Sequence, residues 1–305
     1  MSNTGPEGTV PPAGRGGGGA GLRPAGAAAG QGREKPILAV DGDSFAHRAY
    51  HALPKTIRRA GGRPAGALVG FANMLLRLWE AEQPRAVLVA WDTLGTPTYR
   101  HEAFAGYQSG REFDDELVEQ LELLPELVES LGFACAKAAG YEADDFLAAA
   151  ARRSRGPVLV ATSDRDAFQL ASDTVTILQP ARGVSELARI GPAEVRDRYG
   201  VEPQQVPDLI ALRGDPSDRI PGAQGVGPKK AAEVIREHGS LEAALRAGRF
   251  SAEADALRLY RRMATMDASA PLPSLRVQTP TWGRGAELAR DWGLNALADR
   301  LAALA

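Results

Sequence analysis

Cysteine is almost missing from this 305-residue chain: Cys135 stands alone, which excludes an internal disulfide framework and fits a reducing compartment. Histidine is scarce as well, with four in all, and neither it nor Cys135 falls at zinc-ligand spacing. There is no run of roughly eighteen apolar residues, so no membrane-spanning helix and no membrane partner are expected. The first residues carry no basic head ahead of an apolar core. A secretory leader is therefore not expected, and a cytoplasmic protein is. Lysine is rare, confined to Lys35, Lys55, Lys137, Lys229 and Lys230, and arginine supplies the rest of the 36 basic residues. Such a bias is the ordinary mark of a GC-rich genome, but it makes each lysine position worth asking about.

What is present is ordinary for a folded protein. Hydrophobic residues make up 44% and charged residues 24%, and the length suits one large α/β domain with a smaller helical one. The net charge of −2 looks wrong for a polyanion binder. It hides an uneven distribution: nine of the 38 carboxylates are assigned below to one site, and the basic residues outnumber those that remain.

Residues 1–34 are Gly, Ala and Pro with scattered Arg, a composition that cannot bury enough surface to offset its ordering entropy, so this tail is expected to be disordered. Order begins with the apolar run Pro36–Val40, which ends on Asp41. A helical pattern over about 65–82 precedes a second run, Ala86–Trp91, ending on Asp92. Residues 112–131 are helical by apolar spacing, another helix opens near Glu142, and a third strand, Pro157–Ala161, runs into Thr162-Ser-Asp164. Alternating strand and helix argues for an α/β fold with a mostly parallel central sheet flanked by helices, placed at 35–188. From about Ile190 the texture changes to short helical pieces at 192–199, 203–212, 228–238 and 241–247, with a last one at 284–304. Residues 189–305 are therefore expected to be a separate helical region.

Three strands that each end on an acid would crowd charge at one edge of the sheet. In open parallel sheets the crevice beyond the strand carboxyl ends binds ligands, and a hard divalent cation is the simplest group to join three aspartates there. More acids follow in Gly140-Tyr-Glu142-Ala-Asp144-Asp145, Thr162-Ser-Asp164-Arg-Asp166 and Gly214-Asp215-Pro-Ser-Asp218. Each cluster alone is explained by favourable charge at a helix start or by local hydrogen bonding in a turn. Glu142 and Asp144, two apart, could share an ion only where the helix starts irregularly. Together, nine acids in five clusters suit two Mg2+ or Mn2+ ions, typically ~3.5–4 Å apart, acting on a phosphodiester.

The segment Ile220-Pro-Gly222-Ala-Gln-Gly225-Val-Gly227-Pro-Lys229-Lys230 reads as a glycine hairpin opening a helix. Glycines let backbone amides approach a phosphate, a helix start favours the anion, and two of the five lysines sit there. Such an element positions a duplex without reading its sequence.

Taken in order, Ala39-Val-Asp41-Gly42, Trp91-Asp92, Tyr99-Arg-His101, Gly140–Asp145, Thr162–Asp166, Gly214–Gly222 and Gly225–Lys229 resemble the 5′-3′ exonuclease and flap endonuclease family, specifically stand-alone relatives of the amino-terminal domain of bacterial DNA polymerase I. The resemblance covers roughly residues 36–275. It implies a PIN-like 5′-nuclease fold that cuts DNA at 5′ ends, flaps or nicks, with RNA–DNA hybrid at primers as a further substrate, in replication and repair. It also implies one ion held by Asp41, Asp92, Glu142 and Asp144, with Asp145 close by, and another held by Asp164, Asp166, Asp215 and Asp218. A helical arch over about 99–131 and a helix-hairpin-helix over about 207–240 belong to the same expectation, the latter with a K+ ion on backbone carbonyls. Among catalytic basic residues, Arg48 is expected near the 5′ strand and Arg100 and Arg111 on the arch. Nothing in the sequence calls for an obligate protein partner; the resemblance implies a bacterial, nucleoid-associated protein, and no polymerase palm is expected after residue 300.

This chain departs from the family pattern at several points. Gln108 stands where the arch usually has a lysine thought to polarise the scissile phosphate, and His47 where a tyrosine is usual. Arg165 replaces a lysine and Arg219 a common asparagine. Gln108 motivates an alternative, a non-catalytic module that binds branched DNA. A second alternative, an aspartate-nucleophile phosphatase, rests on Val40-Asp41-Gly-Asp43, although such an enzyme has no use for the glycine hairpin.

Overall fold

The computed structural model describes residues 34–93, 95–109, 114–182 and 186–305, which form one compact unit from Glu34 onward. The expected disordered tail and Arg111 lie outside the described residues. Six strands form one sheet: β1 (Ile37–Asp41), β2 (Ala86–Ala90), β3 (Ala134–Ala136), β4 (Val158–Ala161), β5 (Val175–Arg182) and β6 (Glu186–Ile190), in spatial order β3-β2-β1-β4-β5-β6. All neighbours are parallel except β5 and β6. The helices in chain order are α1 (Gly42–Ala52), α2 (Gly66–Glu82), α3 (Tyr99–Ala103), α4 (Asp115–Ser130), α5 (Ala143–Arg153) and α6 (Pro192–Tyr199), followed by α7 (Val206–Arg213), α8 (Pro228–His238), α9 (Leu241–Arg246), α10 (Ala254–Ala264), α11 (Trp282–Asp291) and α12 (Asn295–Ala302).

The three expected strands read as unbroken apolar runs because both faces of the sheet are covered. Successive side chains of β1 point to opposite layers: Ala39 joins Leu88, Val160, Phe146 on α5 and Ile210 on α7, while Leu38 and Val40 join Phe45, Phe71, Leu124 and Leu297. Each large side chain removed from water there contributes about 1.5–3 kcal/mol. The second layer takes in α4, whose Leu117, Leu121, Leu124, Leu127 and Val128 are all buried. Most of α4 in the stretch expected as an arch therefore packs on the body, while Tyr107, Gln108, Asp114 and Leu117 line the cleft.

Three strands escaped the sequence reading. β3 is three residues long and contains two alanines; β5 carries Pro180 at the bulge where its pairing with β6 slips. The boundary drawn at 188/189 falls inside β6, so the sheet itself crosses it. The pattern at 284–304 is two helices, α11 and α12, joined through Gly293.

The chain leaves β1 toward β2 and β3 and returns through β4 on the other side, which makes the β1/β4 junction the topological switch point. Val40 pairs with Val89 and with Ala161, so the three strands end level. Gly42 is required where α1 starts, because a Cβ there would lie 2.5 Å from the buried Trp91 ring.

Candidate metal centre

Beyond those strand ends lies a cleft of ≈ 1160 Å³ lined by Asp41, Asp92, Glu142, Asp144, Asp164, Asp166, Asp215 and Asp218, eight of the nine expected carboxylates. Each arrives on a different kind of support. Asp41 caps α1 by accepting from the Ser44 N–H (2.9 Å), and Thr162 Oγ1 donates to its other oxygen (2.7 Å). Asp92 accepts from the Ala143 N–H at the start of α5 (2.7 Å), which ties β2 to that helix. Glu142 is the residue before α5, with extended φ/ψ of −106° and 165°, so it leaves the helix at a different angle from Asp144. That irregular start is what lets two acids two residues apart face one cavity. Asp164 accepts from the Asp166 N–H (2.8 Å). Asp215 and Ile220 exchange backbone hydrogen bonds of 2.8 Å across a tight loop that carries Asp215 and Asp218. This loop follows α7 through Gly214 (φ 78°) and closes at Gly222 (φ 76°), where a Cβ would lie 2.5 Å from the Gly214 nitrogen.

So many carboxylates in one cavity cannot all stay charged at no cost. Burial, with Asp92 and Asp164 adding repulsion, pushes Asp41 up to about 7. Glu142 and Asp144 are raised chiefly by burial, and Asp166 by burial with Asp164, Asp215 and Asp218 around it. Ten carboxylates line the cleft against two arginines, Arg165 and Arg213, so its own positive charge falls short.

The ninth acid is elsewhere. Asp145 is fully buried and does not line the cleft. Its oxygens accept from Arg100 (2.8 and 3.1 Å), from the Glu142 N–H (3.1 Å) and from the Asp267 N–H (2.8 Å). With its acceptor sites taken, Asp145 has nothing left to offer an ion. Arg100 is likewise not an arch residue reaching for a strand. It is 1% exposed, and it also donates to Glu142 (2.9 Å) and to the Met263 carbonyl (3.0 Å). Both residues support the centre from behind.

Asp43 is a cleft carboxylate that the sequence reading left out of its expected metal set. It lines the same cleft and accepts from the Asp92 N–H (2.7 Å), and burial followed by Asp92 holds its carboxyl well above the usual range. Its signal was there, an Asp-x-Asp after an apolar strand, but it was spent on the phosphatase alternative. His47 and His51 on α1 also line the cleft, as does Asp114. Arg48 lies on α1, half-buried, and is not among the lining residues.

The glycine hairpin runs between α7 and α8, as expected. Gly225 has φ 68°, Lys229 and Lys230 are exposed in the first turn of α8, and Lys230 Nζ lies 3.5 Å from the Gly225 carbonyl. Pro228 borders the carboxylate cleft, so the hairpin is adjacent to the centre.

Comparisons with known proteins agree with this geometry. Residues 36–200 match the family model for the 5′-3′ exonuclease N-terminal resolvase-like domain, and residues 201–281 match that for the 5′-3′ exonuclease C-terminal SAM fold. DNA polymerase I of Mycobacterium leprae is 44% identical over 214 residues, covering 68% of this chain and 23% of the polymerase. Thermostable DNA polymerase I of Thermus aquaticus is 41% identical, covering 69% and 25%. The chain thus spans about a quarter of the length of these relatives. Among solved structures, the bacteriophage T5 flap endonuclease in complex with DNA and metal ions aligns with a TM-score of 0.64 at 18% identity, over 87% of this chain and 97% of that one. The catalytic core of Rad2 with DNA substrate aligns at 0.57 and 17% identity, over 88% and 91%. The fold is shared with both. With two consecutive family models spanning the sheet, the cleft and the hairpin, the chain belongs to the 5′-3′ exonuclease family.

Proposed function

We propose that this protein hydrolyses DNA phosphodiesters at 5′ ends, nicks and 5′ flaps, using two divalent cations held in the carboxylate cleft. One observation carries the proposal: acids from β1, β2, α5, β4 and the loop after α7 converge on a single cavity at the sheet's switch point. The donor set is all oxygen and short of positive charge, which suits Mg2+ or Mn2+. Among the described residues no three of His, Cys, Asp and Glu close into a ready-made cage. Magnesium does not demand one, since it keeps several waters and takes one or two carboxylates directly.

In this reading Asp41, Asp43, Asp92, Glu142 and Asp144 serve one ion and Asp164, Asp166, Asp215 and Asp218 the other. When bound, the ions polarise the phosphodiester and make a water nucleophilic near neutral pH. The protein's own part is positional. Thr162 and Ser44 fix Asp41, Arg100 and Asp145 fix Glu142, and the Ala143 N–H fixes Asp92. Lys229, Lys230 and the amides of Gly222, Gly225 and Gly227 hold duplex phosphates, and the hairpin carbonyls are the proposed seat of a K+ ion. Arg48 and Arg111 remain proposed contacts for the 5′ strand. Removal of RNA primers and flaps during lagging-strand completion and repair follows from the same activity.

Cleavage of a 5′-labelled flap duplex with Mg2+, Mn2+ or chelator, wild type beside Asp164→Ala, tests this. Metal-dependent cutting near the junction, lost in the variant, is expected. Binding without cleavage in either metal would overturn the proposal in favour of a junction-binding module.

A further inference from the structure

Gln108 stands where the family pattern has a lysine, and its surroundings assign it a different task. Its backbone is left-handed (φ 46°), a conformation uncommon for a residue with a side chain, and its N–H reaches the Asp218 carbonyl (3.3 Å). The side-chain nitrogen lies 3.0 Å from Asp218 Oδ1 and 2.9 Å from the Tyr107 hydroxyl. A carboxylate only accepts, so the amide nitrogen, not its oxygen, faces Asp218. Both N–H bonds are then used. The Tyr107 hydroxyl accepts one of them and donates its own proton to Glu142 Oε2 (2.9 Å). Tyr107 is 3% exposed, and burial raises its phenol far above neutrality, so it stays a proton donor.

The result is an unbroken chain, Asp218–Gln108–Tyr107–Glu142, running from one proposed ion set to the other. We propose that Gln108 and Tyr107 form a neutral positioning bridge that fixes Asp218 relative to Glu142 and thereby the spacing of the two ions. The proposal rests on the two-ion reading above. Neutrality matters here. A lysine at 108 would also donate to Asp218, but its charge would oppose cations already drawn to the cleft, whereas an amide orders the carboxylate and leaves its charge available. Oxygen ligands held by outer hydrogen bonds lose about 10–100-fold in metal affinity when those partners are removed.

The test is Mn2+ titration of the full chain without DNA, read by calorimetry for affinity and by electron paramagnetic resonance for spin coupling between neighbouring ions. Wild type is compared with Gln108→Met, close in shape but without a donor, and with Tyr107→Phe and the double variant. Gln108→Lys is titrated alongside. Wild type is expected to bind two coupled ions. Gln108→Met and Tyr107→Phe should each weaken the second ion about tenfold or more and broaden or lose the coupling. The double variant should be little worse than either, since both break one chain. Gln108→Lys should bind the pair more weakly than wild type. Tyr107 is buried and its variant could unfold, which a melting curve would show; Gln108 is only half-buried, so Gln108→Met stands as the independent arm. Unchanged affinity and coupling in Gln108→Met would overturn the bridge while leaving the two-ion reading intact. A wild type that binds no coupled pair would overturn that reading, and the bridge with it.

Discussion

Replacing Arg100 with methionine separates two roles that sequence position alone confuses. If Arg100 contacts the substrate, its loss spares the fold; if it is the strut seen here, its loss damages the fold first. The guanidinium, 1% exposed, makes four hydrogen bonds: two to Asp145, one to Glu142 and one to the Met263 carbonyl. Methionine fills much of the volume but leaves Asp145, fully buried, as a charge without its cation. Breaking a buried pair in this way costs about 3–5 kcal/mol. For a domain of this size each kcal/mol moves Tm by about 2–4 °C, so a drop of roughly 6–20 °C is expected. Circular dichroism melting of the metal-free protein measures it directly. Adding Asp145→Leu to Arg100→Met should recover part of the loss, because it removes the stranded charge. A variant that melts within about 2 °C of wild type yet no longer cleaves DNA would refute the strut and return Arg100 to the substrate.

Two further outcomes follow from the charges of the cleft and the hairpin. Asp41 in the fold holds its proton up to about pH 7, well above its ordinary value, so the stability it contributes is complete in acid and is lost as pH rises through that point. Metal-free protein should therefore melt at a higher temperature at pH 5.5 than at pH 8, and saturating Mg2+ should shrink or reverse the difference by favouring the ionised carboxylates; equal melting at both pH values without metal would contradict this. Lys229→Ala and Lys230→Ala should each weaken duplex binding and lower the slope of log Kd against log salt by about 1. Unchanged slopes would remove these lysines from the DNA-holding element.

The sequence exposed some parts of this centre and concealed others for definite reasons. Asp41, Asp92 and Asp164 were legible because each follows an apolar run that only a strand buried on both faces requires, and the switch point then forces the three together. β5 and β6 were not, because Pro180 and the polar residues around it resemble a loop until an antiparallel partner is known.

The run Glu142-Ala-Asp144-Asp145 marks the limit most sharply. Spacing says that three acids crowd one helix start, but not which of them the start itself consumes. An N-terminal turn has unsatisfied N–H groups, and an acid placed three residues in can reach back to the residue before the helix. Asp145 does so with the Glu142 N–H, and that leaves it facing inward, where only a buried cation can keep it charged. Arg100 is that cation, supplied from α3, and the Met263 carbonyl at the end of α10 accepts its Nε–H. One local rule of helix capping thus decides that Glu142 and Asp144 face the cleft while Asp145 joins the support behind it. The same rule ties the outer helical region to the carboxylates proposed for the first ion. Arg100 and Asp145 read in sequence as active-site groups because the centre depends on them, yet that dependence runs through Glu142, which neither leaves free to move.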